Sequence, residues 1–201
     1  MRQRTDRTIA DVLGIVLARG VFELSAGQNP KLESLLSLFY DSVSDRCAEF
    51  AEVPAEAVPD PYHNLLVHSD HMTVTVEAFH ESLVDVRVLE VREEEIKYAR
   101  KILLTRKSDE DPVLFGIVRI HFKHLDESVH EEIRGRRTPL GRILINHNVM
   151  RYVQPLSYWA IKAGEDLAKY LNLKIGDTTY GRTAIIYCDE EPAIELLEVV
   201  V

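Results

Sequence analysis

The sequence predicts an α+β fold in which helices pack on a single antiparallel β-sheet of about six strands, and three patterns predict it. Apolar residues recur with period two over residues 68–122 and again near the C-terminus. They follow helical spacing in the first 50 residues and again after Asp126. Short polar segments join neighbouring strand-like runs, which suits hairpins and therefore antiparallel pairing. With 201 residues and 46% hydrophobic content the chain can bury one substantial core, so residues 1–201 are expected to form one domain.

Within that domain, Ile9, Val12, Leu13, Val16 and Leu17 mark one amphipathic helix, and Leu32, Leu35, Leu36, Phe39 and Val43 a second. Residues 1–50 are therefore read as helical. Pro54, Pro59 and Pro61 make residues 53–62 a connector. Four strand runs follow, marked by Met72, Val74 and Val76, by Val84, Val86 and Val88, by Tyr98, Ile102 and Leu104, and by Leu114, Val118, Ile120 and Phe122. Residues 107–112 form the polar loop between the third and fourth. A short helix is expected from Asp126 to about Arg134. Another starts at Thr138-Pro139, with Thr as cap and Pro in the first helical position. Strands at 180–188 and 193–201 close the sheet around a turn at Asp189-Glu190-Glu191-Pro192.

A net charge of −9 repels nucleic-acid phosphates and anionic lipid, so neither is an expected partner. The same field opposes an anionic metabolite, which makes a buried arginine informative. Cys47 and Cys188 lack the spacing of a zinc or redox pair and fit a reducing, cytoplasmic setting. The N-terminal stretch lacks the features of a signal peptide or a membrane span. Histidine pairs three apart, His68 with His71 and His121 with His124, point to opposite faces of an extended chain, so no metal site is expected. No nucleophile elbow or Gly-rich phosphate loop is present, and no cofactor is implied.

Two charges break the apolar pattern. Alternation puts Arg100 on the same side as Tyr98, Ile102 and Leu104, and Glu198 on the side of Ile194, Leu196 and Val200; Glu195 falls on the other. One reading is a buried structural ion pair between Arg100 and one of these glutamates. The other is that Arg100 grips a ligand carboxylate through a two-pronged contact while Glu198 addresses the ligand's far end. The segment Thr138-Pro139-Leu140-Gly141-Arg142 offers free N–H groups of Leu140 and Gly141 at a helix start, which favours an anion, although an ordinary capped helix has the same spacing. Arg182, beside Gly181, reads as either a pocket cation or a surface residue, with the surface placement slightly favoured.

Several segments, in order from Leu65 to the C-terminus, resemble the chorismate lyases, and in particular the chorismate-lyase-like proteins of archaea and actinobacteria. They are Leu65-Leu66, His71-Met72-Thr73 with Glu77, the run from Tyr98 through Arg100 to Leu104, Thr138-Pro139-Leu140-Gly141-Arg142-Ile143-Leu144, Gly181-Arg182, and Pro192 to Glu198. Val74, Thr75 and Val76 replace the polar and basic residues of the bacterial lyases, Pro192 to Glu198 aligns only with one inserted residue, and the first 60 residues have no match. The resemblance implies that the N–H groups of Met72 and Leu140, with Arg100, hold a ring carboxylate, and that Glu198 lies beside the ring hydroxyl. It further implies a cofactor-free elimination of pyruvate from chorismate to give 4-hydroxybenzoate, with Arg100 and Glu198 as the catalytic pair. A carboxylate on an apolar strand face is expected to have a raised pKa. The competing expectation is a non-catalytic sensor of an aromatic carboxylate, because the effector domains of one group of bacterial repressors share a related fold.

Overall fold

The computed structural model describes residues 32–41, 47–93 and 97–201 of the chain. The helix expected over Ile9–Leu17 lies outside these residues. In chain order the elements are α1 (Leu32–Leu36), β1 (Ala48–Val53), α2 (Tyr62–Leu66), α3 (Met72–Phe79), β2 (Val84–Glu93), β3 (Lys97–Arg106), β4 (Pro112–His121), α4 (Glu127–Gly135), α5 (Leu140–Asn146), β5 (Arg151–Ala163), α6 (Glu165–Tyr170), β6 (Thr178–Cys188) and β7 (Glu191–Val200).

The strands form one seven-stranded sheet in the order β1-β5-β6-β7-β4-β3-β2, with every neighbouring pair antiparallel. The period-two reading of the later strands matches this sheet. Arg100 pairs in register with Val118 and Val118 with Leu196; in the next row Ile102, Gly116, Glu198 and Arg182 stand side by side across four strands. These residues share one face. The opposite face carries Leu103, Phe115, Ile117, Leu197 and Val199, packed under α1 and α6.

The face that carries Arg100 is covered by two separate apolar clusters. One joins Tyr98, Val118, Ile120 and Leu196 to Val129 and Ile133 of α4 and Ile143 and Leu144 of α5. The other joins Ile102, Leu104, Leu114 and Val200 to Leu65 and Leu66 of α2 and Met72 and Val76 of α3. Arg100, Arg182 and Glu198 belong to neither cluster and occupy the seam between them.

Four expectations are corrected. Residues 72–79 are helical rather than a strand: Met72 and Val76, one turn apart, are buried, while Val74, which alternation would bury, is 43% exposed. Four consecutive β-branched residues favour a strand, but packing of one helical face on the sheet overrides that propensity. The sheet gains β1 and β5 in its place. Strand β5 contains Pro155 at a register shift and is half-buried along most of its length, so it shows neither a clean alternation nor a continuous apolar run. The helix read from Leu32 toward Val43 extends only over Leu32–Leu36 before a turn. Pro139 is the residue before α5 rather than its first, and Thr138 makes no capping bond, so the first free N–H belongs to Leu140.

Strands β6 and β7 approach closely where Glu198 is held. A Cβ on Gly181 would lie 2.6 Å from the Glu198 carbonyl oxygen and 2.9 Å from Ile161 Cδ1. Gly181→Ala is therefore expected to lower unfolding stability by about 2 kcal/mol, because the contact is with backbone and cannot relax by a side-chain rotation; denaturant titration measures this. Glu195, on the far face, accepts from Arg119 Nη2 at 2.8 Å and pairs with His121 at 3.3 Å. Burial pushes its pKa up, yet the Arg119 and His121 bonds prevail and hold it at about 2. Its contribution to stability is thus complete above the ordinary carboxyl pKa near 4.5 and is lost as pH falls toward about 2. In Arg119→Ala the acid limb of the stability profile between those values should flatten by roughly 2–3 kcal/mol.

Candidate functional site

The seam encloses a cavity of about 560 Å³ of atom-free space, mouth included. Arg100, Glu198, Met72, Leu140 and Gly141 all line it. Apolar walls come from both clusters, with Ile102 and Leu114 on one side and Val118 and Leu196 on the other. Gly116 opens the floor: a Cβ there would be 3.3 Å from two atoms of Ile102, in the row that runs from Ile102 to Glu198.

Arg100 is 1% exposed, and its Nε and Nη1 have no hydrogen-bond partner among the described residues. Its strand neighbours in register, Val91 and Val118, are apolar. Burial pushes the guanidinium's pKa down; the nearby Tyr98 hydroxyl, buried and itself without a partner in hydrogen-bonding geometry among the described residues, opposes this, and the positive charge of Arg136 adds to it. The group nevertheless stays cationic, because arginine does not deprotonate in proteins. A buried cation with two idle donors is an uncommon and costly arrangement.

The ion pair between Arg100 and a glutamate does not form among the described residues. Glu198, 8% exposed, instead accepts from Arg182 Nε at 2.8 Å, and Glu195 pairs with Arg119. Arg182, expected at the surface, is fully buried. Its Nη1 donates to the carbonyls of Leu66 at 3.0 Å and His68 at 2.8 Å, and its Nη2 to that of Asp70 at 3.4 Å. One guanidinium therefore neutralises Glu198 and fixes residues 66–70, which lead into α3. The signal was available in the sequence, since Arg182 alternates with Ala184 and Ile186 on β6 just as Arg100 does with Ile102 on β3.

Helices α3 and α5 bring their N-terminal ends together at this cavity. A Cβ on Gly141 would lie 2.8 Å from Thr73 Oγ1 and 3.4 Å from His71 Cβ, so the helices meet this closely only with glycine at that position. The N–H groups of Met72 and Leu140 are the first of their helices and have no intrahelical acceptor. Glu77 locks the two helices, accepting from Arg142 of α5 and from the Val84 N–H at 3.1 Å. His71, immediately before α3, accepts from Arg151 at the start of β5. The arrangement can present a guanidinium and backbone N–H groups to an anion, and a neutralised carboxylate to another part of the same molecule.

No protein-family model matches the sequence, and no curated protein matches it. Solved structures with a similar fold include the ligand-binding domain of a candidate GntR-family transcriptional regulator from Bordetella bronchiseptica. It is 15% identical with a TM-score of 0.46, covering 59% of this chain and 85% of that one. PhnF from Mycobacterium smegmatis is 8% identical with a TM-score of 0.47, covering 67% and 64%. The C-terminal domain of the histidine utilization repressor from Pseudomonas syringae is 11% identical with a TM-score of 0.41, covering 58% and 90%. At these identities and scores none of them identifies a ligand or an activity for this chain.

Arg182→Ala would strip a buried carboxylate of its cation and take one donor from each of three carbonyls. The expected loss of stability is about 3–5 kcal/mol, measured by thermal or denaturant unfolding.

Proposed function

We propose that the protein binds a small cyclic or aromatic carboxylate in this cavity, as a ligand-sensing or ligand-carrying module. The ligand's carboxylate lies on Arg100 and on the N–H groups of Met72 and Leu140, at the end where Gly141 admits close approach, and its far end faces Glu198. The observation that carries the reading is the pair of idle donors on a buried Arg100. An incoming carboxylate gives the unpartnered guanidinium an acceptor and replaces the water that burial removed. The apolar walls suit a ring, and the Glu198 carboxylate, an acceptor balanced by Arg182, suits a ligand hydroxyl.

A second reading, chorismate pyruvate-lyase activity, is favoured by a specific observation: Glu198 lines the same cavity as Arg100 and is not paired with it. These are the positions that the resemblance to chorismate lyases assigns to the far and near ends of the ring. Loss of the C4 proton and departure of the enolpyruvyl group would aromatise the ring, with Arg100 and the two N–H groups orienting the substrate and Glu198 acting at C4. That step is an elimination and involves no net redox change.

Calorimetric titration with 4-hydroxybenzoate should show binding that weakens by about 100-fold or more in Arg100→Ala, the order expected when one partner of a buried charge pair is removed. Unchanged affinity in that variant would remove Arg100 from the site. Incubation with chorismate separates the two readings: release of pyruvate and 4-hydroxybenzoate, lost in Glu198→Gln, means a lyase, whereas binding without product means a sensor.

A further inference from the structure

His71 lines the same cavity, and its surroundings determine where its proton resides. Arg151 Nε–H donates to His71 Nε2. A guanidinium is always protonated and only donates, so Nε2 must present its lone pair and the ring proton must be on Nδ1. Arg151 is itself held in place, because its Nη1 donates to the Val149 carbonyl at 2.8 Å and to the Leu144 carbonyl of α5 at 3.5 Å. The contact therefore joins α5 and the start of β5 to the residue that opens α3.

Three further observations bear on what this ring does. Burial first, then the positive charges of Arg151 and Arg182, push the His71 pKa down to about 4 against the pull of Asp70, so the ring is neutral near pH 7. Its Cβ lies 3.4 Å from where a side chain on Gly141 would begin, beside the Met72 and Gly141 backbone. Among the described residues no group accepts from Nδ1.

We propose that His71 is a specificity-determining residue of the cavity: a neutral Nδ1–H donor, fixed in that tautomer by Arg151, that recognises an acceptor oxygen of the bound carboxylate ligand. Arg151 is a positioning residue and does not touch the ligand. A neutral donor adds recognition without a further positive charge, so it complements Arg100 rather than duplicating it. The inference rests on the carboxylate-binding reading above.

The test is ¹⁵N NMR of the histidine rings in the full chain, with His71 assigned from His71→Phe. The expected signature is a protonated Nδ1 and an unprotonated Nε2 that do not titrate between pH 8 and about 5, the range above the depressed pKa. Arg151→Ala should release the ring to a mixture of tautomers with a titration nearer the ordinary histidine range. Adding 4-hydroxybenzoate to the wild type should shift the Nδ1 resonance. His71→Phe should bind 4-hydroxybenzoate about 10-fold more weakly, and His71→Asn, which keeps a donor near the Nδ1 position, within about threefold of wild type. An Nε2–H tautomer, or a ring titrating normally in the wild type, overturns the proposal whatever the variants do. Undiminished binding in a folded His71→Phe overturns the role of His71 alone. A wild type that binds neither 4-hydroxybenzoate nor benzoate overturns the carboxylate reading and this role with it.

Discussion

The arrangement of the site follows from two guanidinium groups buried on one sheet face with a single carboxylate between them. Register decides which guanidinium takes it. Arg182 stands directly across from Glu198, while Arg100 lies one row away, between Val91 and Val118. Arg182 is fully engaged as a result, and Arg100 is left with idle donors at the cavity wall. Two other cations of the sheet are matched by carboxylates. Lys101, on the opposite face beside Arg100, pairs with Glu90 at 3.2 Å and lies 4.7 Å from the centre of the Tyr40 ring, and Arg119 pairs with Glu195. An unmatched buried cation costs stability that the two apolar clusters must offset, and an anion from outside relieves the cost.

The space beside Arg100 exists because the core on this face is divided. Helices α4 and α5 cover one end of the sheet and α2 and α3 the other, and the gap is kept open by Gly116 below and by the Gly141 junction above. Strands hold Arg100, Arg182 and Glu198, so those side chains rise from a rigid surface. The backbone donors belong to helix ends tied together by Glu77 and Arg142. A charged contact made in such an apolar seam is stronger than the same contact in water, because little solvent competes for it.

How much of this was legible in the sequence depended on whether a residue's role is local. Arg100 and Glu198 stood out because a charge on the apolar side of an alternating strand breaks a pattern visible over a few residues. Met72 enters the cavity through the resemblance to chorismate lyases, although its segment reads as a strand: Met72, Val74 and Val76 fit period two, Met72 and Val76 alone also fit one helical turn, and only the sheet beneath them selects the helix that turns Val74 outward. Strands β1 and β5 left little trace, the first because Glu49 and Glu52 interrupt a short edge strand, the second because Pro155 and even half-burial erase alternation. Arg182 carries the same pattern as Arg100, but its place beside Gly181 leaves a pocket and a surface reading both open in the sequence. His71 could not be found that way at all, since its meaning comes from Arg151, 80 positions further along the chain.

The central claim is that an external carboxylate completes the hydrogen bonding of a buried arginine. A crystal structure of the chain soaked with 4-hydroxybenzoate tests it most directly. The account predicts carboxylate oxygens about 3 Å from the Arg100 guanidinium and from the Met72 N–H, with the hydroxyl toward Glu198. A ligand bound elsewhere, or a seam that stays closed with Arg100 turned to an internal acceptor, would contradict it.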